Sequence, residues 1–76
     1  MKRNEIKELL EKDRIDAVKI MRSPADPGQW IVLLKLNDGK SFFLISDDDQ
    51  VWAYPTLDDA VNTLDEIGFV RAEVMF

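Results

Sequence analysis

Trp30-Ile31-Val32-Leu33-Leu34-Lys35-Leu36-Asn37-Asp38-Gly39-Lys40-Ser41-Phe42-Phe43-Leu44-Ile45-Ser46 is the stretch that decides the fold. Two apolar runs flank Asp38-Gly39. Asp-Gly in that setting is a strong hairpin signal, because a type I′ turn needs positive φ at both central residues. We therefore read strands over 29–36 and 40–46. A two-residue loop sets the register by arithmetic. Asn37 faces Lys40, Leu36 faces Ser41, Lys35 faces Phe42, Leu34 faces Phe43, Leu33 faces Leu44, and Val32 faces Ile45. Directly opposed residues share a face. One face then holds Trp30, Val32, Leu34, Leu36, Phe43 and Ile45, and is the bulkier, so it is assigned to the core. The other holds Ile31, Leu33, Lys35, Phe42 and Leu44.

Both faces of this hairpin are apolar, whereas a sheet covered on one side normally alternates apolar-in and polar-out. The candidate interface is Ile31, Leu33, Phe42 and Leu44. Two coverings are open: the chain's own loops and helices, or a second molecule. At roughly 25 cal/mol per Å², burying four such side chains contributes several kcal/mol before association costs. A modest homodimer, or a complex with another protein, is the expectation.

Upstream, residues 16–22 alternate Val18 and Ile20 against Lys19, a strand with one buried face. The loop 23–28 follows, with Pro27-Gly28 fitting the centre of a type II turn. Before it, residues 4–12 read as a short helix. Ile6, Leu9 and Leu10 form one stripe, Asn4 is the expected N-cap, and Glu5 and Glu8 sit where the helix dipole favours acids.

Downstream, Asp47-Asp48-Asp49 is a polar reversal, and 51–54 a short fourth strand stopped by Pro55. Residues 57–67 carry the apolar stripe Leu57, Ala60, Val61, Leu64 and Ile67, capped by Thr56 and closed by Gly68. Residues 69–76 alternate as a last strand. The order is α-β-β-β-β-α-β. The expected fold is α+β over a single domain, 1–76, with two layers: a mainly antiparallel sheet with two helices on one face. The position of the last strand in the sheet stays open.

The 76 residues contain no cysteine and no histidine. That removes disulfides, thiolate nucleophiles, cysteine zinc sites and the commonest general base. No phosphate-binding glycine loop, zinc-protease motif or nucleophile elbow occurs. We expect no catalytic residues, no cofactor, no metal and no enzyme activity. No stretch is apolar for the roughly 20 residues a spanning helix needs, and no signal peptide opens the chain. The expected compartment is the cytoplasm.

Charge is unevenly laid out within a net −5. Residues 1–40 carry nine Lys and Arg against seven Asp and Glu; residues 41–76 carry one against eight. Asp47, Asp48, Asp49, Asp58 and Asp59 form a candidate acidic surface for a basic partner, or else a solvated loop and a helix cap. The Asp47–Asp49 run lacks the spacing and glycine of an EF-hand loop. The basic side chains of the N-terminal helix and first strand (Lys2, Arg3, Lys7, Lys12, Arg14, Lys19 and Arg22) suggest the alternative, a nucleic-acid-associated regulator. They are diluted by Glu5, Glu8, Glu11, Asp13 and Asp16, and the net charge opposes it. Trp52 and Tyr54 alternate onto one face, as packing residues or as a binding edge.

The stretch from Tyr54-Pro55-Thr56-Leu57-Asp58-Asp59-Ala60 through Leu64-Asp65-Glu66-Ile67-Gly68-Phe69-Val70 resembles short proteobacterial plasmid partition accessory (ParC-type) or replication-associated proteins. In these, a hydrophobic hairpin leads to a Ser/Thr-Leu-Asp cap, a Leu-x-x-Ile-Gly helix end and a closing strand. The resemblance spans residues 30–76. It implies a small accessory in plasmid or mobile-element maintenance that acts through other proteins. It brings no catalytic residues with it.

Overall fold

The computed structural model describes all 76 residues. Its elements are α1 (Arg3–Glu11), β1 (Ile15–Arg22), β2 (Trp30–Leu36), β3 (Ser41–Phe43), α2 (Leu57–Ile67) and β4 (Glu73–Met75). The sheet runs β3-β2-β1-β4. β1 is antiparallel to β2 and β2 to β3, while β4 lies parallel to β1. The fold is therefore α+β with a mixed, mostly antiparallel sheet. The helical connection through α2 lets the last strand cross over and join the far edge, beside β1.

Both helices cover one face. Ile6 of α1 and Ala60, Leu64 and Ile67 of α2 pack with Val18, Ile20, Val32, Leu34 and Leu44 in one core cluster. Each of these nine residues is buried. The stripe that makes α2 amphipathic explains its docking, except that Val61 remains exposed. Thr56 caps α2: its Oγ1 accepts from the Asp59 amide at 3.1 Å. Gly68, at φ 121°, closes it. No helix is long and apolar enough to cross a membrane.

α1 begins two residues earlier than the Asn4 cap predicts. The Glu5 carboxylate accepts from the Lys2 amide at 3.1 Å, which satisfies a first-turn donor upstream of Asn4. The loop before β2 also differs. Gln29 N donates to Asp26 O, and Gly28 N donates to Asp26 Oδ1. Gly28 has no positive φ, so this is not a type II turn. The Asp26 side chain organises it from within.

The hairpin corrects the register by one residue. Leu36 N donates to Lys40 O at 2.8 Å and Gly39 N to Leu36 O at 3.0 Å, so the loop is Asn37-Asp38-Gly39. Only Gly39 takes positive φ, at 89°; Asp38 does not. A type I′ turn would force Asp38 into the left-handed region, which costs an L-residue roughly 1–2 kcal/mol. Instead the Asp38 carboxylate accepts from the Lys40 amide at 3.0 Å. The three-residue loop with a final glycine is the next commonest hairpin solution. The pairs are Leu33↔Phe43, Leu34↔Phe42 and Lys35↔Ser41.

The fourth strand is reduced to two isolated bridges, Ile45↔Val51 and Trp30↔Tyr54. β3 leaves β2 after Leu44, whose amide donates to Val32 O. Tyr54 then takes the vacated place beside Trp30, exchanging two backbone bonds of 2.7 and 2.8 Å with it. The last strand is shorter than its alternation suggests. Only residues 73–75 pair with β1.

Candidate functional site

The face of the sheet away from the helices is built by register. Lys19↔Leu33↔Phe43 and Met21↔Ile31 stand in rows across β1, β2 and β3. β4 extends both rows, Glu73 beside Lys19 and Met75 beside Met21. Ile45, two residues past Phe43, keeps the same side of the chain. One row is apolar across three strands, Ile31, Met21 and Met75, with Ile45 lying past the end of the β2–β3 pairing, bridged to Val51. The next holds Phe43 and Leu33, then Lys19 and Glu73. The third, Ser41, Lys35 and Ala17, is mostly polar.

Of the four residues expected to form the interface, Ile31 and Leu33 lie on this outer face. Phe42 and Leu44 do not. The one-residue shift turns them to the helix side, where Leu44 is fully buried and Phe42 sits at the margin, 37% exposed. Phe43 and Ile45, assigned from sequence to the core, replace them outside. Phe43 is 40% exposed and Met75 42%. Met21 and Met75 were missed because the position of β4 is not written in any local pattern. The outer face is more continuous than the sequence suggested. Ile31, in its centre, is 4% exposed and stands outside the core cluster under the helices.

The acidic residues fall in two places. Asp47, Asp48 and Asp49 sit in the turn held by Ser46 N donating to Gln50 O and Asp49 N to Ser46 O. Asp58 and Asp59 occupy the first turn of α2. No hydrogen bond or ion pair joins the two sets. Asp49 faces Lys2 at 3.6 Å. The structure brings no three acidic side chains into a metal-holding cluster.

Three of the basic residues at the N-terminus are engaged within the chain. Lys2 meets Asp49, Lys12 meets Glu8 at 3.0 Å, and Arg3 meets Glu66 at 2.8 Å. Arg3 also lies 5.9 Å from the Trp52 ring centroid. Trp52 stacks on Tyr54 at 5.4 Å and 10°. This column ties α1 to the bridge segment, and Tyr54 is buried. The pair packs the core margin.

Tyr54 holds the one buried side-chain polar atom without a partner, its phenol oxygen. Burial pushes its pKa above the ordinary 10.0, with nearby Thr63 and Arg3 easing the shift. Thr63 lies beside the phenol without meeting hydrogen-bond geometry.

The chain matches no family model, no curated protein and no solved structure.

Proposed function

We propose that the protein is a non-enzymatic interaction module that docks through its outer sheet face, with a second copy of itself as the partner. The observation that carries this reading is the apolar row Ile31, Met21 and Met75, flanked by Phe43 and Leu33. Phe43 and Met75 leave apolar surface exposed around the buried Ile31, and exposed apolar patches often mark interaction sites.

The charges on the same face favour a second copy over a strongly charged partner. Lys19 and Lys35 stand with Glu73, so both signs are present on one surface. A two-fold axis brings such a surface against itself with opposite charges facing. A standard interface takes about 800 Å² from each partner, and the chain exposes 5025 Å². Asp47 and Asp48 of the turn and the Asp58–Asp59 cap then stay outside that interface for a basic partner, while Asp49 faces Lys2. The cytoplasm is the compartment proposed, and no cofactor or metal enters the account. A role in plasmid or mobile-element maintenance rests on the resemblance of residues 30–76 alone.

Nucleic-acid binding through α1 and β1 is the weaker reading, because Lys2, Arg3 and Lys12 are already paired with acids. Sedimentation at micromolar concentration tests the proposal. The wild type is expected above its monomer mass of 8.8 kDa, and Leu33→Lys at that mass. A monomeric wild type contradicts it.

A further inference from the structure

The sheet has a second incomplete feature, at its β1 edge. β4 pairs with β1 only from Lys19 to Met21. Ile15 and Ala17 pair with β2 on one side, and no strand pairs with residues 15–17 on the other. Continued backward, the β4 register would set Ala72 beside Val18 and Val70 beside Asp16. The chain instead leaves the sheet there, and Val70 is 94% exposed. Between the two segments lies a slot of about 520 Å³. Leu10, Ile15, Val18 and Phe69 give it apolar walls. Asp13, Asp16 and Glu73 line it against the single cation Arg71. None of these four charges is in an ion pair.

We propose that this slot takes an extended, basic segment of a partner protein, added to the open edge of β1 in line with β4. A strand of three residues spans about 10 Å, and residues 15–17 of β1 lack a strand partner on this side. Edge addition draws affinity from backbone hydrogen bonds and specificity from alternate side chains. Here the apolar walls take one set of those side chains. Three carboxylates against one guanidinium select lysine or arginine in the other set. A bulge between Ile15 and Ala17 interrupts the β1 register at Asp16. Bulges at sheet edges commonly re-aim a side chain. The slot shares Ala17 and Glu73 with the margin of the outer face, but its open edge lies along residues 15–17, so this inference does not rest on dimerisation.

The test is fluorescence anisotropy at low salt with a labelled, capped peptide of alternating valine and lysine. Two controls accompany it: a valine–glutamate peptide, and the lysine peptide N-methylated on alternate amides. Saturable binding of the lysine peptide is expected. It should weaken at least about tenfold with the glutamate peptide, and likewise with the Asp13→Asn, Asp16→Asn double variant. N-methylation should abolish it. Asparagine is chosen because it tolerates the left-handed φ of 55° at Asp13. Amide shifts should fall on residues 15–18 and 69–73. Leu33→Lys, which breaks the proposed dimer, should bind the peptide unchanged. Equal binding of both charges, binding that survives N-methylation, or shifts centred on Ile31 and Leu33 would overturn the proposal.

Discussion

Leu33 stands opposite Phe43 across the β2–β3 ladder, and both side chains lie on the face away from the helices. That pairing exchanges the roles of two consecutive residues. Leu44 enters the core and Phe43 leaves it. The apolar character of the outer face survives the exchange because the sequence is apolar at both positions. Its membership changes: Phe43 joins Leu33 there, beside the row Ile31, Met21 and Met75.

Gly39 holds that register. Nothing lies within 4 Å of a Cβ built there, so substitution is opposed by its φ of 89° alone. Gly39→Ala should cost about 1 kcal/mol in a urea melt. Gly39→Asn should cost less, since asparagine tolerates positive φ. Equal losses for the two would place the cost in packing.

Leu44 and Phe43 should separate stability from association. Leu44 is fully buried, so Leu44→Ala should lower unfolding free energy by about 2–5 kcal/mol. Phe43→Ala should cost the isolated monomer far less, while weakening self-association. Denaturation at concentrations below dimer formation, beside sedimentation above it, reads both effects. A Phe43→Ala loss as large as that of Leu44→Ala would move Phe43 into the core.

Tyr54 carries a buried hydroxyl with no partner, a group that costs about 1–3 kcal/mol to desolvate unpaired. Tyr54→Phe should keep or raise stability, by up to about 1 kcal/mol. The folded-state pKa lies above the unfolded 10.0, so folding favours the neutral phenol. That contribution is complete below pH 10.0 and is lost as pH rises through the folded-state value. Wild type should therefore lose stability in alkali faster than Tyr54→Phe. Tyr54 is the chain's only tyrosine, so phenolate absorbance follows it directly. A destabilised Tyr54→Phe would reveal a hydrogen bond to Thr63.

The elements were legible where signals are local. The α2 stripe with Thr56 and Gly68 at its ends gave that helix nearly residue for residue. Alternation gave β1, and the apolar runs gave β2 and β3. What failed depended on competition between alternatives of similar energy. Asp38-Gly39 suits both a two-residue and a three-residue loop, and the choice turns on one φ angle and one carboxylate hydrogen bond. Residues 51–54 read as a strand, yet Tyr54 pairs with Trp30 across the space that β3 vacates. That is a tertiary event no local pattern records. The crossover of β4 is of the same kind, and with it went the two methionines of the outer face. The existence of a second apolar face was visible from sequence; which residues compose it was not.

The three methionines give the most direct test of docking through that face. Met21 and Met75 lie on it, side by side, while Met1 packs against the core cluster. Methyl spectra of methionine-labelled protein, recorded through a dilution series, report each position separately. The account predicts that the Met21 and Met75 signals move together with concentration and that Met1 stays fixed. Signals that ignore dilution, or a shift confined to Met1, would contradict it.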